Sequence, residues 1–174
     1  MFKIRKIDEG TFLMVPNPCR RCLYWQTVGE FDSSSLGEGG EEGKMRWLKR
    51  VLREFGSCIK VACLDDVSVG FMQYAPAVYF PRVREYASGP PNEDAAFIAC
   101  LYILDGNQRG KGFGTLMLKN LVEELKERGF MAIETFARIS SENNPSGPLN
   151  FYLRNNFKIV HRKDDFPLVR LNLK

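Results

Sequence analysis

Residues 105–115 read Asp-Gly-Asn-Gln-Arg-Gly-Lys-Gly-Phe-Gly-Thr, and the rest of the chain is organised around them. An apolar run, 97–104, precedes this stretch, and a helical pattern, 116–128, follows it. A glycine-rich turn between a strand and a helix is a recurring anion site, because the first N–H groups of the helix lack partners and carry partial positive charge. Arg109 and Lys111 add two full charges. The stretch therefore predicts a phosphate or pyrophosphate site.

Two common phosphate-binding loops do not fit this spacing. A P-loop needs four residues between its first two glycines, whereas three separate Gly106 from Gly110, and it needs Ser or Thr after the lysine. A dinucleotide fingerprint needs G-x-G-x-x-G, whereas the order here is Gly110-x-Gly112-x-Gly114. A plain turn joining strand to helix is the remaining alternative. It is disfavoured because each glycine costs backbone entropy on folding.

The pattern that does fit is Arg109-x-x-Gly112-x-Gly114, preceded by Gln108. It resembles the acyl-coenzyme A loop of the GNAT family of N-acetyltransferases, R/Q-x-x-G-x-G/A, which a strand precedes and a helix follows. The family has a second helix with a tyrosine further along, and Tyr152 fits that position. The resemblance spans residues 2–173 and is best over 97–157. It implies an α/β (α+β) fold, the acyl-CoA N-acyltransferase fold, with a central mixed, mostly antiparallel sheet of about six to seven strands flanked by helices.

The resemblance also implies acetyl-CoA as cosubstrate, and no metal. In the family, backbone groups of the strand before the loop pair with the pantetheine arm, and one N–H polarises the thioester. Leu101, Tyr102 and Ile103 match that strand. The other predicted cofactor-binding residues are in the loop, the helix start and the later helical region: Gln108, Arg109, Gly110, Lys111, Gly112, Phe113, Gly114, Thr115, Asn144 and Asn150.

Two catalytic residues are predicted. Tyr152 lies where the family places the donor of a proton to the leaving thiolate, and a phenol with a pKa of about 10 suits that role. The alternative is that Tyr152 packs beside Phe151 in the core. Glu134 is a candidate general base, because an amine with a pKa of about 10.4 must lose a proton before it attacks. Glu93 and Asp94 are alternatives for the base.

The chain departs from the family pattern after residue 136. The family often shows Asn, Ala and Tyr at fixed spacing, whereas Pro145 and Pro148 occupy the first two positions, and Asn144 is displaced by one. The final helix, 149–155, usually ends Gly-Phe in the family and ends Asn156-Phe157 here. Asn is the commonest substitute for glycine where φ is positive, so we predict a positive φ at Asn156.

Length and composition limit the classes of function that this chain could have. A chain of 174 residues that is 44% hydrophobic predicts one domain over 1–174. A net charge of +4 suits an anionic cofactor and does not indicate nucleic acid. The first residues lack the pattern of a signal peptide, and no apolar run approaches the ~18 residues of a membrane span. We expect a soluble, cytoplasmic protein without nucleic-acid or membrane partners, and a candidate homodimer.

The five cysteines do not suggest a disulfide framework, because their number is odd. Cys19-x-x-Cys22 could be half of a zinc site or a redox pair, but zinc needs two more ligands and the redox motif usually comes with a βαβ unit. The favoured interpretation is a turn in the substrate-side wall, with Tyr24 and Trp25 packing or lining a cleft. Three cysteines are predicted core residues: Cys58, Cys63 and Cys100.

Periodicity predicts the other elements. Strands are expected at 2–7, 94–104, 130–136, 157–161 and 167–173, and a hairpin pairs 57–64 with 67–75. An amphipathic helix is predicted over 44–55, and His161 near a strand end is predicted to be structural.

Two loops complete this organisation. A flexible, glycine-rich loop is predicted over 32–43, and a long loop over 76–93. The long loop carries candidates for an acceptor pocket, with a surface excursion packed on its own aromatics as the alternative. These candidates are Tyr79, Phe80, Arg82, Arg84 and Tyr86.

The sequence therefore predicts an acetyl-CoA-dependent N-acetyltransferase. It would transfer an acetyl group to a primary amine of a small-molecule or peptide acceptor, by direct attack in a ternary complex. The alternative is a non-catalytic acyl-CoA-binding regulator of the same fold. A metal or redox protein built on Cys19 and Cys22 is a third reading.

Overall fold

The structure, a computed structural model, describes residues 1–32 and 39–174. Its strands are β1 Phe2–Lys6, β2 Ile59–Leu64, β3 Val67–Pro76, β4 Ala95–Ile103, β5 Ala132–Phe136, β6 Lys158–His161 and β7 Leu168–Asn172. The helices described are α1 Gly40–Glu54, α2 Phe113–Glu127 and α3 Leu149–Arg154. The seven strands form one sheet in the order β1-β2-β3-β4-β5-β7-β6.

The sheet is mixed and mostly antiparallel, as predicted. Strands β1 to β4 are antiparallel neighbours, and β5, β7 and β6 form a second antiparallel group. β4 and β5 are parallel, because α2 carries the chain back between them. The predicted hairpin is confirmed: Asp65 and Asp66 have φ of 49° and 65°, the conformation that tight hairpin turns require.

The sheet opens between β4 and β5. These strands pair only over Ala95–Phe97 and Ala132–Glu134, whereas β4 stays paired with β3 as far as Ile103. The last part of β4 therefore has one backbone edge without a strand neighbour. The glycine-rich turn follows directly, so the opening and the turn lie at the same end of the sheet.

Each face of the sheet has its own core. α2 and α3 cover one face, where Leu121, Tyr152 and Met72 are fully buried. α1 and the segments 7–25 and 76–86 cover the other, where Leu48 and Trp25 are buried. Burying one large apolar side chain stabilises the fold by about 1.5–3 kcal/mol.

α1 begins at Gly40 and not at Lys44, so the predicted helix start was wrong. Gly40 and Gly43 do not loosen the chain here; they let the helix pass close to residues 21–23. A Cβ on Gly40 would lie 2.2 Å from the carbonyl oxygen of Arg21. Part of the predicted flexible loop 32–43, residues 33–38, lies outside the described residues.

The predicted positive φ of Asn156 is confirmed: it is 67° at the end of α3. Gly129 likewise has a positive φ, 81°, directly after α2. A Cβ on Gly70 would lie 2.9 Å from Met117 Sδ, so the sheet and α2 approach closely there. The loop 76–93 contains two 3₁₀ turns, Ala77–Tyr79 and Pro81–Glu85. Within the described residues, no helix is long and apolar enough to cross a membrane.

Candidate active site

A cavity of about 520 Å³ lies where β4 leaves β5. Its walls are the end of β4, the glycine-rich turn, the start of α2, the segment 142–148 and α3. The predicted cofactor residues come together here, with one exception, Lys111. Those that line the cavity are Leu101, Tyr102, Ile103, Gln108, Arg109, Gly110, Gly112, Phe113, Gly114, Thr115, Asn144 and Asn150.

The glycine-rich turn leaves the first N–H groups of α2 available. Gly110 and Gly112 have φ of 76° and 86°, a region that residues with a Cβ rarely adopt. Gly112 is the N-cap residue, and no side chain caps the helix there. The unpaired N–H groups and the helix dipole therefore point at the cavity and favour an anion.

Arg109 joins two walls of the cavity. Its Nε donates to the carbonyl of Ile103 at 2.9 Å, and its Nη1 donates to Asn143 Oδ1 at 2.8 Å. The guanidinium also lies 4.8 Å from the centre of the Tyr102 ring. Lys111 is exposed and donates to Gln108 Oε1 at 3.2 Å, so its charge lies at the rim.

The free edge of β4 is partly occupied by the protein itself. The register with β3 shifts between Gln73 and Tyr74, which leaves a bulge in β4 just before Cys100. The N–H of Leu101 then donates to the carbonyl of Pro145 at 2.9 Å. A ligand that pairs with this N–H must replace Pro145.

Tyr152 lies behind the cavity wall and does not line it. Its side chain is fully buried, and its hydroxyl donates to the carbonyl of Ser146 at 2.6 Å. Burial raises the pKa of this phenol well above its usual value. A Cβ on Gly147 would lie 2.8 Å from the Tyr152 ring, so one glycine separates the ring from the cavity. Phe157 packs edge-on against the same ring.

Glu134 is not among the residues that line the cavity, and its contacts do not support the predicted role of general base. It is fully buried and accepts from Arg170 Nη1 at 2.9 Å and from Asn92 Nδ2 at 2.7 Å. Arg170 also holds Asp94 at 2.8 Å, and this hydrogen bond lowers the pKa of Asp94. Both carboxylates therefore serve to join β4, β5 and β7. Glu93 is exposed and does not line the cavity.

Most of the acceptor-pocket candidates in the long loop, 76–93, pack against other parts of the protein. Arg82 is buried and donates to the carbonyls of Tyr24 and Gly29, which fastens the N-terminal segment. Tyr86 stacks between Trp25 and Phe136, with ring centres 5.2 and 4.5 Å away. The remaining candidates divide between core and surface: Phe80 is buried, Tyr79 is half-buried and Arg84 is exposed.

The Cys19-x-x-Cys22 turn is not a metal centre in this structure. No three His, Cys, Asp or Glu side chains among residues 1–32 and 39–174 come together in a way that could hold a metal ion. Burial raises the pKa of the Cys19 thiol to about 11, which disfavours a thiolate. Trp25 packs in the core, as the favoured interpretation allowed, and His161 is exposed.

Sequence reasoning missed part of the cavity wall. The residues concerned follow β5 or lie on α3: Glu142, Asn143, Gly147, Pro148, Phe151, Arg154 and Asn155. The proline-rich spacing of this segment hid them, because it departs from the family pattern. A second cavity of about 620 Å³ shares Thr115, Arg154 and Asn155 with the first.

This combination of fold and site defines a class. A mixed seven-stranded sheet that opens beside a glycine-rich turn and a helix start is the acyl-CoA N-acyltransferase fold. A family model described as "Acetyltransferase (GNAT) family" matches residues 23–157. The chain belongs to the GNAT acetyltransferase family.

Solved structures with this fold cover nearly the whole chain. The PaiA N-acetyltransferase of Thermoplasma acidophilum, in complex with coenzyme A, is 15% identical with a TM-score of 0.63, over 99% of both chains. The putative acetyltransferase yncA of Salmonella typhimurium, with its cofactor acetyl-CoA, is 15% identical with a TM-score of 0.64, over 100% of this chain and 95% of that one. An N-acetyltransferase of Staphylococcus aureus Mu50 is 18% identical with a TM-score of 0.65, over 100% of this chain and 99% of that one. No curated protein matches by sequence.

Proposed function

We propose that this protein is an acetyl-CoA-dependent N-acetyltransferase that acts on a primary amine by direct attack in a ternary complex. One observation carries the proposal: the uncapped start of α2 and the open edge of β4 face the same cavity. Its volume of about 520 Å³ falls within the usual range for ligand sites. A cytoplasmic location, a single domain over 1–174 and a homodimer stay predictions.

The residues present fit acetyl-CoA. The N–H groups at Gly112 and Gly114 and the guanidinium of Arg109 would hold the pyrophosphate, because they supply donors and positive charge. The backbone of 101–103 would hold the pantetheine arm, with Asn144 and Asn150 on the facing wall. When bound, acetyl-CoA supplies the activated acyl group. Leu101 N–H would exchange the Pro145 carbonyl for a carbonyl of the ligand.

Catalysis needs one proton donor and one proton acceptor. Tyr152 is the proposed donor, and it would have to release Ser146 and pass Gly147 to act. Its present contacts equally support a positioning role for the segment 145–147. The pairing of Glu134 with Arg170 explains that carboxylate better than a catalytic role does. We propose that the amine loses its proton to water in the open gap.

The alternative function is a non-catalytic acyl-CoA-binding regulator. It is favoured by the lining of the cavity, in which, within the described residues, Glu142 is the single carboxylate. Consumption of acetyl-CoA distinguishes the two functions. A regulator binds it without turnover in the presence of any amine, whereas a transferase releases coenzyme A with at least one.

Thermal unfolding tests the cofactor. Acetyl-CoA at 100-fold excess over its Kd should raise the midpoint by about 5–10 °C, whereas ATP and NAD should not. Gly112→Ala should reduce the shift, because it strains a residue with positive φ at the anion site. Gly106→Ala is the matched control, since a Cβ there meets nothing within 4 Å and φ is not positive. An equal shift with all three nucleotides, or none with acetyl-CoA, would overturn the proposal.

A further inference from the structure

Lys44, on α1, is a fully buried lysine that has no carboxylate partner among the described residues. Its side chain is 2% exposed, and its Nζ donates to Gln73 Oε1 at 2.9 Å and to Gln26 Oε1 at 3.4 Å. The Trp47 ring lies 5.9 Å away. Buried lysines are rare unless they are paired. Throughout the described residues, no Asp or Glu forms an ion pair with Lys44.

A second buried lysine, Lys60 on β2, has a carboxylate partner and serves as the comparison. Lys60 Nζ lies 2.9 Å from Glu124 Oε2 and also donates to Asn120 Oδ1. That lysine is neutralised within the fold. Lys44 has no such compensation among the described residues, and an unpaired buried charge lowers stability, so its burial calls for another explanation.

The position of Lys44 links it to the proposed reaction. Its partner Gln73 stands opposite Cys100 in the β3–β4 pairing, and Cys100 directly precedes Leu101. Cys100 packs with the core on the α1 face, whereas Leu101 packs with the core on the α2 face. We define the Lys44 cluster as Lys44, Gln26 and Gln73. It lies on the α1 face of the sheet, whereas the next residue of β4, Leu101, lines the cofactor cavity and packs on the α2 face.

The cluster lies one side chain below the surface. Gln26 is only half-buried, and so are three cysteines close enough to Lys44 to interact with its charge: Cys19, Cys22 and Cys100. The cluster offers N–H donors from an amine and two amides, and in the described part of the chain the ionisable groups that act most strongly on Lys44 are thiols. These N–H donors favour the binding of an anion and disfavour the binding of a cation.

We propose that the Lys44 cluster binds the carboxylate of the acyl acceptor, so that the acceptor is an amine that also carries a carboxylate, such as a free amino acid. This rests on the proposed N-acetyltransferase function and narrows it. Polyamines and other polycations are excluded, because they would bring positive charge to Lys44. Lys44 is thus a specificity-determining residue, and the Cys19–Cys22 turn is part of the wall around it.

Binding of a carboxylate should be linked to proton uptake. Burial lowers the pKa of Lys44 from its usual 10.5, and the nearby thiols Cys100, Cys22, Cys19 and Cys58 oppose this shift only in part. An anion beside Nζ favours the ammonium and raises the pKa again. Titration calorimetry with acetate, which has no amine proton to lose, should therefore show protons taken up on binding at a pH between the lowered folded-state pKa of Lys44 and 10.5.

The test compares matched acceptors. Wild-type protein with acetyl-CoA is offered each common L-amino acid, its α-amide and spermidine, and released coenzyme A is measured. The acid should exceed its amide in kcat/KM by about 30-fold or more. Lys44→Met should remove this preference and leave the acetyl-CoA midpoint shift intact. Lys49→Met is the control on the same helix, because Lys49 is exposed and pairs with Glu9 at 3.0 Å.

A second measurement tests the carboxylate site even if Lys44→Met folds poorly or the acceptor is not in the panel. Sodium acetate is titrated into wild-type protein and Gln26→Leu, with sodium chloride as the ionic-strength control. Tryptophan fluorescence should respond saturably to acetate in the wild type, since Trp47 adjoins Lys44, and less in the variant.

The possible outcomes distinguish failure of the carboxylate site from failure of the proposed N-acetyltransferase function. Amides or spermidine acetylated as well as the acids overturn the carboxylate site and leave the transferase standing. If nothing in the panel is acetylated, absence of the acetate response likewise overturns it. No acetyl-CoA shift and no transfer overturn the proposed function, while the acetate titration still decides on the Lys44 cluster.

Discussion

At the scale of single residues, Lys44 and Lys60 are both buried but stand in opposite electrostatic situations. Lys60 faces Glu124, which also accepts from Tyr74 and pairs with Lys6 and Arg128. Removal of Lys60 leaves part of a buried carboxylate uncompensated. Removal of Lys44 leaves no charge behind, because its partners are neutral amides.

We therefore expect the two lysine-to-methionine variants to shift stability in opposite directions. Lys44→Met should raise the free energy of unfolding by about 1–4 kcal/mol, whereas Lys60→Met should lower it by about 3 kcal/mol. Chemical denaturation at pH 7 measures both. Equal losses in the two variants would show that Lys44 is an ordinary structural residue.

The stabilisation by Lys44→Met should also depend on pH. The folded-state pKa of Lys44 is lowered from 10.5, so the cost of its buried charge is fully present below the folded pKa. As pH rises toward 10.5 the folded protein carries a neutral amine while the unfolded chain still holds the proton. The advantage of the variant should accordingly shrink over that window and vanish above it.

Tyr152 is a second residue whose role a single substitution can test. Tyr152→Phe deletes the hydrogen bond to Ser146 and should lower stability by about 1 kcal/mol, leaving a buried carbonyl without its donor. If the hydroxyl only positions 145–147, binding of acetyl-CoA weakens and kcat changes little. If it is the proton donor, kcat falls with affinity unchanged. Steady-state kinetics with a calorimetric Kd separates the two. The proposed donor role requires the fall in kcat, and weaker binding with an unchanged kcat would contradict it.

At the scale of elements, the segment 143–147 is tied to both sides of the cavity. Asn143 accepts from Arg109, Pro145 accepts from Leu101, and Ser146 accepts from Tyr152. These bonds hold the segment across the opening between β4 and β5. Entry of a ligand along β4 therefore requires the Leu101 bond to be exchanged.

Hydrogen exchange at the Leu101 amide tests this arrangement. The amide should be protected in the free protein, and Asn143→Ala should speed its exchange, because the segment loses its tie to Arg109. Acetyl-CoA should restore protection in both proteins. Glu142→Ala changes the adjacent exposed residue and serves as the control. Fast exchange at Leu101 in the free wild type would contradict the Pro145 contact.

At the scale of the whole molecule, buried and half-buried ion pairs fasten the layers. Glu124 joins α2 to β1 and β2, and Arg170 joins β7 to β5 and Asp94. Burial alone would raise the pKa of Glu124, but hydrogen bonds from Lys60 and Lys6 outweigh it and the pKa is lowered. The pKa of Asp94 is lowered by Arg170.

Stability should therefore fall on acidification. A carboxylate with a lowered folded-state pKa contributes stability that is present above its unfolded value, 4.5 for Glu124, and is lost as pH falls through the folded value. Glu124→Gln should cost about 3–5 kcal/mol at pH 7 and show a smaller further loss below pH 4.5. Glu123→Gln, an exposed neighbour, is the control and should follow the wild type. Urea unfolding between pH 7 and pH 3 checks both.

Sequence patterns were sufficient where the governing physics is local. The Asp65-Asp66 turn, the positive φ of Asn156 and the strand–turn–helix around Gly112 follow from backbone preferences of single residues. Hydrophobic periodicity placed the strands, because burial of one face or both leaves a readable spacing. The start of α1 was misjudged for the opposite reason: Gly40 is helical because of a close approach to Arg21, a contact that only folding creates.

The sequence by itself determined the class of fold and the anion-binding turn, since helix-start N–H groups and glycine conformations belong to a short stretch of chain. Only the tertiary structure decided what each ionisable side chain does. It placed Arg170, from another strand, beside Glu134. It also buried Lys44 on α1, where no carboxylate among the described residues pairs with it. Charge interactions depend on distance and burial rather than on spacing along the chain, so these roles become visible only when the layers are assembled.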